Sequence, residues 1–160
     1  MSHPSLGLPP PDLQRGYPAG AARLRAGVGP LGVRALEIAI DRDPTMRDRH
    51  DELALRKLLR DTEVWIEQLA LTVAGDEPRW MQEFADHTTV PYRRRKVPLD
   101  DVIHLLEGIR AASRSVLSGD EQRAADAGID AAIAKLRWHR RLAGDARRRN
   151  PILAAIYKGG

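Results

Sequence analysis

From Asp51 to Ala74 the apolar side chains return every three or four residues. Leu55, Leu58, Leu59, Thr62, Trp65, Ile66, Leu69 and Val73 fall on one side of a helical projection, which predicts a central core helix. A second stripe of the same period, Leu99, Val102, Ile103, Leu106, Ile109, Ser113, Val116 and Leu117, predicts a helix over residues 98–117. A third, Ala125, Ile129, Ala132, Ile133 and Leu136, predicts one over residues 119–143. No segment alternates apolar and polar positions over a useful length, so the pattern predicts an all-α bundle ending in a long antiparallel helical hairpin.

Punctuation between the stripes sets the expected boundaries. Pro98 with Asp100 and Asp101 marks a helix start, where proline loses no hydrogen bond and acidic side chains meet the positive end of the helix dipole. Ser118 and Glu121 have the spacing of a capping box and open the last long helix, which Gly144 is placed to end. Gly75 is expected as the left-handed cap of the central helix, and Asp76 with Pro78 as the start of the next, carrying Trp80, Met81 and Phe84 inward. Val90-Pro91 is expected to kink or stop that helix. Gly29-Pro30 opens a shorter helix that Asp43-Pro44 ends, whereas Gly16, Pro18 and Gly20 leave residues 12–27 with short turns at most. Asn150-Pro151 begins a final short turn or helix. Four prolines make residues 1–11 an extended mobile tail, and residues 12–160 read as a single domain.

Composition narrows the chemistry. Lys and Arg number 26 against 22 Asp and Glu, a net charge of +4 that is ordinary for a solvated surface yet compatible with an anionic partner. The chain has no cysteine, which removes disulfides, thiolate nucleophiles and Cys-ligated zinc. No apolar run approaches the roughly 20 residues of a spanning helix, so the expectation is a cytoplasmic protein with no membrane partner.

Five histidines invite a metal or haem, but no two of them have the i, i+4 spacing of a helical zinc site. His87, near a helix end, is the residue that would serve as axial ligand if haem bound; otherwise it is a polar helix-end histidine and no cofactor is expected. Asp100-Asp101 and Asp120-Glu121 stand at helix starts, where capping accounts for them, and no nucleophile elbow or phosphate loop occurs. The chain therefore does not read as an enzyme. Arg93, Arg94, Arg95 and Lys96 form one basic cluster, and Arg137, Arg140 and Arg141 form another; both suit solvated faces and ion pairs between subunits better than nucleic acid.

Two helices carry small residues where long polar side chains would be usual. His104, Gly108, Ala111, Ala112 and Ser115 on the first, and Ala127, Ala131, Ala134 and Trp138 on the second, suit the close approach of another helix and are expected to form a homodimer interface.

Residues 55–76 (LRKLLRDTEVWIEQLALTVAGD), the basic run feeding VPLDDVIHLLEGIRAA at 97–112, and WHRRLAGD at 138–145 give the chain from about Gly32 onward a likeness. It resembles the N-terminal helical, non-haem globin-like domains of stressosome co-antagonist sensors and related bacterial regulators. The resemblance implies a globin-like bundle that dimerises through its last two long helices and relays a stress signal to an output domain. Unlike the family pattern, no phosphorylatable or DNA-binding output domain follows Gly160 in this sequence. The functional expectation is a non-catalytic regulatory or sensory homodimer acting on a regulatory protein partner. A haem or small-ligand sensor and a nucleic-acid-binding module are the alternatives.

Overall fold

The computed structural model describes residues 11–143, and every regular element among them is a helix: α1 (Pro18–Ala26), α2 (Val28–Arg42), α3 (Met46–Arg49), α4 (Glu52–Gly75), α5 (Arg79–Arg94), α6 (Leu99–Ser113) and α7 (Gly119–Ala143). None is long and apolar enough to cross a membrane. The expected tail over its first ten residues, the Gly144 cap and the Asn150-Pro151 turn lie outside the described residues.

Helix α4 is the axis of the bundle and touches α1, α2, α5, α6 and α7. Its stripe is buried as its period predicts, with Leu58, Trp65, Ile66, Leu69 and Val73 fully covered. Asp51 caps it by accepting from the Ala54 amide at 2.8 Å. α2 lies along α6, α5 lies along α7, and α6 and α7 pack on one another.

Four local expectations are corrected. Residues 12–27 contain a true helix, α1, because Pro18 starts it and Ala21 and Leu24 bury against α4, a tertiary gain that outweighs the cost of Gly20. Gly75 is still helical; the left-handed residue is Asp76, at φ 50°, and Gly75 is held small by the Trp80 ring, which would stand 2.5 Å from an added Cβ. Pro91 does not stop α5, because it sits on the exposed side in the last turn, where the unpaired carbonyl it creates meets water. α6 ends at Ser113, so Val116 and Leu117 belong to the connection, although both still pack on the core.

The glutamate half of the capping box at Ser118 is present: Glu121 accepts from the Ser118 amide at 2.7 Å. The same carboxylate takes a fork of hydrogen bonds from Arg23, at 2.7 and 2.5 Å, and so ties α1 to the start of α7. These contacts, with the Ser118 amide foremost, hold the Glu121 carboxyl below its ordinary value.

Candidate functional site

Three separate stretches of the sequence meet at the first turn of α6. Asp101, one residue into the predicted cap, is fully buried and accepts from His50 Nε2 at 2.7 Å and from Arg49 Nη2 at 2.7 Å, with Arg49 Nε at 3.3 Å. Arg49 also reaches Asp43 at 2.7 Å and Thr45 Oγ1 at 2.6 Å. The network clasps the end of α2, the whole of α3 and the first turn of α6. Burial alone would push the Asp101 carboxyl up, but the His50 and Arg49 hydrogen bonds outweigh it and hold the carboxyl low. Hydrogen bonds from Thr45 and then Arg49 bring Asp43 down to about 2. Asp101, foremost, holds the Arg49 guanidinium charged. Capping therefore does not account for the Asp100-Asp101 pair: Asp101 is a buried acceptor and Asp100 is tied to Arg140.

The small-residue positions separate into two groups. Gly108 is buried at the crossing of α6 with α2, so tightly that an added Cβ would stand 2.1 Å from the Ala35 carbonyl oxygen. Ala112 is buried in the same core. Both are filled from within the chain, which corrects their assignment to a contact between copies. His104 turns toward the α2–α3 connection, with Nε2 3.9 Å from Asp43 Oδ2, and is half-buried; Ala111 is half-buried and Ser115 lies exposed beyond the end of α6. On α7 the stripe is open: Ala127 and Ala134 are exposed, Ala131 is half-buried, and Trp138 and Leu142 are 43% and 65% exposed. Lys135 lies over the Trp138 ring at 4.5 Å.

The basic run 93–96 is divided between two surfaces. Arg93 donates to the His139 carbonyl at 3.0 Å and faces α7. Arg95 forks onto Asp61 of α4 at 3.1 and 2.8 Å and lies 5.5 Å from the Tyr92 ring centre. Arg94 and Lys96 are exposed, as are Arg137 and Arg141, while Arg140 is held by Asp100. Arg95 and Lys96 are brought beside Arg56, Lys57 and Arg60 of α4, around clefts of about 390 and 400 Å³. The sequence reading missed these three, although their i, i+1, i+4 spacing puts them on one edge of α4 beside its apolar stripe.

His87 is exposed on α5 and lines neither of these clefts. Among the described residues no group of three or more His, Asp or Glu side chains is arranged to hold a metal ion. Neither a protein-family model, nor a curated protein, nor a solved structure matches the chain.

Proposed function

We propose that this chain is a non-catalytic regulatory domain that acts by pairing with a second copy of itself and presenting the pair to a regulatory protein partner. The observation that carries the reading is the outer face of α7. Ala127, Ala131, Ala134 and Trp138 follow one another at helical spacing along a line that the other described residues leave open, continued by Leu142. Small side chains there admit a second helix at close range, and a half-exposed tryptophan at one end supplies an anchor of the kind that dominates interfaces.

Charge along α7 favours a twofold, antiparallel arrangement. Asp120, Asp126 and Asp130 stand in its first half, and Lys135, Arg137, Arg140 and Arg141 in its second. Arg137 and Arg141 have no acidic partner among the described residues, while Asp120 and Asp130 remain largely exposed despite their pairs with Arg123 and Arg110. Antiparallel pairing sets each acidic half against a basic half, twice. The likeness to stressosome co-antagonist sensor domains supports a sensory, stress-responsive role for such a dimer.

Sedimentation velocity over a range of concentrations tests the reading. The wild-type chain is expected as a dimer, and Ala131→Arg as a monomer with unchanged helical circular dichroism, because one bulky charge introduces two clashes across a twofold axis. A wild-type chain that stays monomeric at high micromolar concentration overturns it.

A further inference from the structure

Along one edge of α4 the residues Leu53, Arg56, Lys57, Arg60, Asp61 and Val64 form a continuous line about 16 Å long. Three clefts follow that line end to end and share Arg95. The first two, about 390 and 400 Å³, also share Leu53 and Lys57 and lie within the range of small-molecule sites. Cations outnumber the two carboxylates that line them, Asp51 and Asp61. Arg56 is paired with Glu52, and Arg95 with Asp61, but Lys57, Arg60 and Lys96 have no acidic partner among the described residues. The third cleft, about 160 Å³, is apolar, walled by Trp65, Phe84 and Tyr92, and joins the basic clefts at the Asp61–Arg95 pair. A cavity of that order holds a single aromatic ring.

Lys96 adds an independent observation. It sits at φ 58°, in the left-handed residue that closes α5, with its own amide on the Arg93 carbonyl at 3.1 Å and the Val97 amide on the Tyr92 carbonyl at 2.9 Å. That position of a helix end is the one glycine occupies at least cost, and a side chain there is sterically disfavoured. A lysine held in strain at the rim of a basic cleft marks a side chain kept for something other than the fold.

We infer that the α4 edge binds an organic polyphosphate, a ligand with two or more phosphates at one end and a ring at the other, as in a nucleoside triphosphate. Lys57, Arg60 and Lys96 meet the phosphates, which present the dense negative charge that three unpaired cations require. The ring enters the apolar cleft. Val64, Phe84 and Pro91 give the ring its accessible walls, and Trp65 and Tyr92 behind them are almost wholly covered, so the cleft takes one ring and is not the open stacking platform that a nucleic-acid strand uses. None of the residues lining these clefts lies on α7, so ligand binding and self-association fail independently of one another.

Isothermal titration in metal-free buffer tests the assignment, with adenosine, guanosine, cytidine and uridine triphosphates, inorganic tripolyphosphate and a DNA duplex as probes. At least one nucleotide is expected to bind saturably and more tightly than tripolyphosphate. Lys96→Gly should weaken it about tenfold, the loss of one charge-assisted contact, while raising the melting temperature by relieving the backbone. Asp76→Gly relieves the other left-handed residue, away from the cleft, and should leave binding unchanged. The assignment is overturned if no nucleotide binds at low millimolar concentration, if tripolyphosphate binds as tightly as the nucleotides, if only the duplex binds, or if Lys96→Gly binds like the wild type.

Discussion

Trp65 donates its indole N–H to the hydroxyl of Tyr92 at 2.9 Å, joining α4 to the last turn of α5 inside the core. Phe84 meets the same indole edge to face, with ring centres 4.7 Å apart. The bond satisfies the one polar atom of the largest fully buried side chain.

Trp65→Ala should destabilise the fold by about 3–5 kcal/mol, as other large aromatic truncations do. Tyr92→Phe removes only an oxygen but leaves the indole N–H buried without an acceptor, at about 1–3 kcal/mol. Urea melts of both variants check the pair. A loss below about 1 kcal/mol for Trp65→Ala would show that the indole is not in the core.

Acid should loosen the clasp between α3 and α6. The folded Asp43 carboxyl titrates at about 2 and the unfolded one near 3.8. Between those values the unfolded chain binds more protons than the folded one, so this contribution is complete above about pH 4, is lost as pH falls and is gone below about pH 2. Asp101, also held low, acts in the same direction. Asp43→Asn should therefore be less stable than the wild type at neutral pH and show a shallower loss on acidification. Parallel acid curves for the two proteins would remove Asp43 from the clasp.

The helix stripes were legible because burial of one face imposes a period that the sequence cannot hide: Leu58, Trp65, Ile66, Leu69, Ile129, Ala132 and Leu136 all lie where their spacing places them. What the sequence concealed is pairing between distant segments. Asp101 looks like any acidic residue in a first turn until His50 and Arg49, about fifty positions earlier, are seen to meet it. Gly108 looks the same whether its neighbour is Ala35 or a second molecule, because small size records only that something comes close. The basic edge of α4 was readable as a line of cations, but its junction with Lys96 depends on how α5 turns into α6.

Gly108→Ala should destabilise the monomer by about 1–3 kcal/mol, the usual result of overpacking a tight helix crossing, because α2 must move away from the Ala35 carbonyl. Thermal melts read that loss. The oligomeric state should not change, and a Gly108→Ala chain that dissociates without losing stability would return this position to the interface.

Charge reversal on α7 gives the most demanding check of an antiparallel pair. Lys135 and Arg140 are already paired with Asp86 and Asp100, so Arg137→Glu combined with Arg141→Glu makes the unpaired charges of the second half negative, and two such chains oppose negative to negative at both ends of the contact. Asp120→Lys combined with Asp130→Lys makes the first half positive, and two of those chains oppose positive to positive. Mixed together, the negative second half of one chain meets the positive first half of the other, and the two unaltered halves meet with their original signs. Each double variant alone should sediment as a monomer, whereas an equimolar mixture should give a heterodimer whose affinity falls as salt rises, since these charges are exposed. The substitutions leave the inward stripe of Ala125, Ile129, Ala132 and Leu136 untouched, so helicity should be preserved throughout. A parallel pairing sets like halves together, so the wild type would be repulsive at both ends and the mixture would bind far more tightly than the wild type, whereas an antiparallel pairing gives the mixture an affinity close to the wild type's. Self-association of either double variant alone, or a mixture that stays monomeric, would rule out the antiparallel contact.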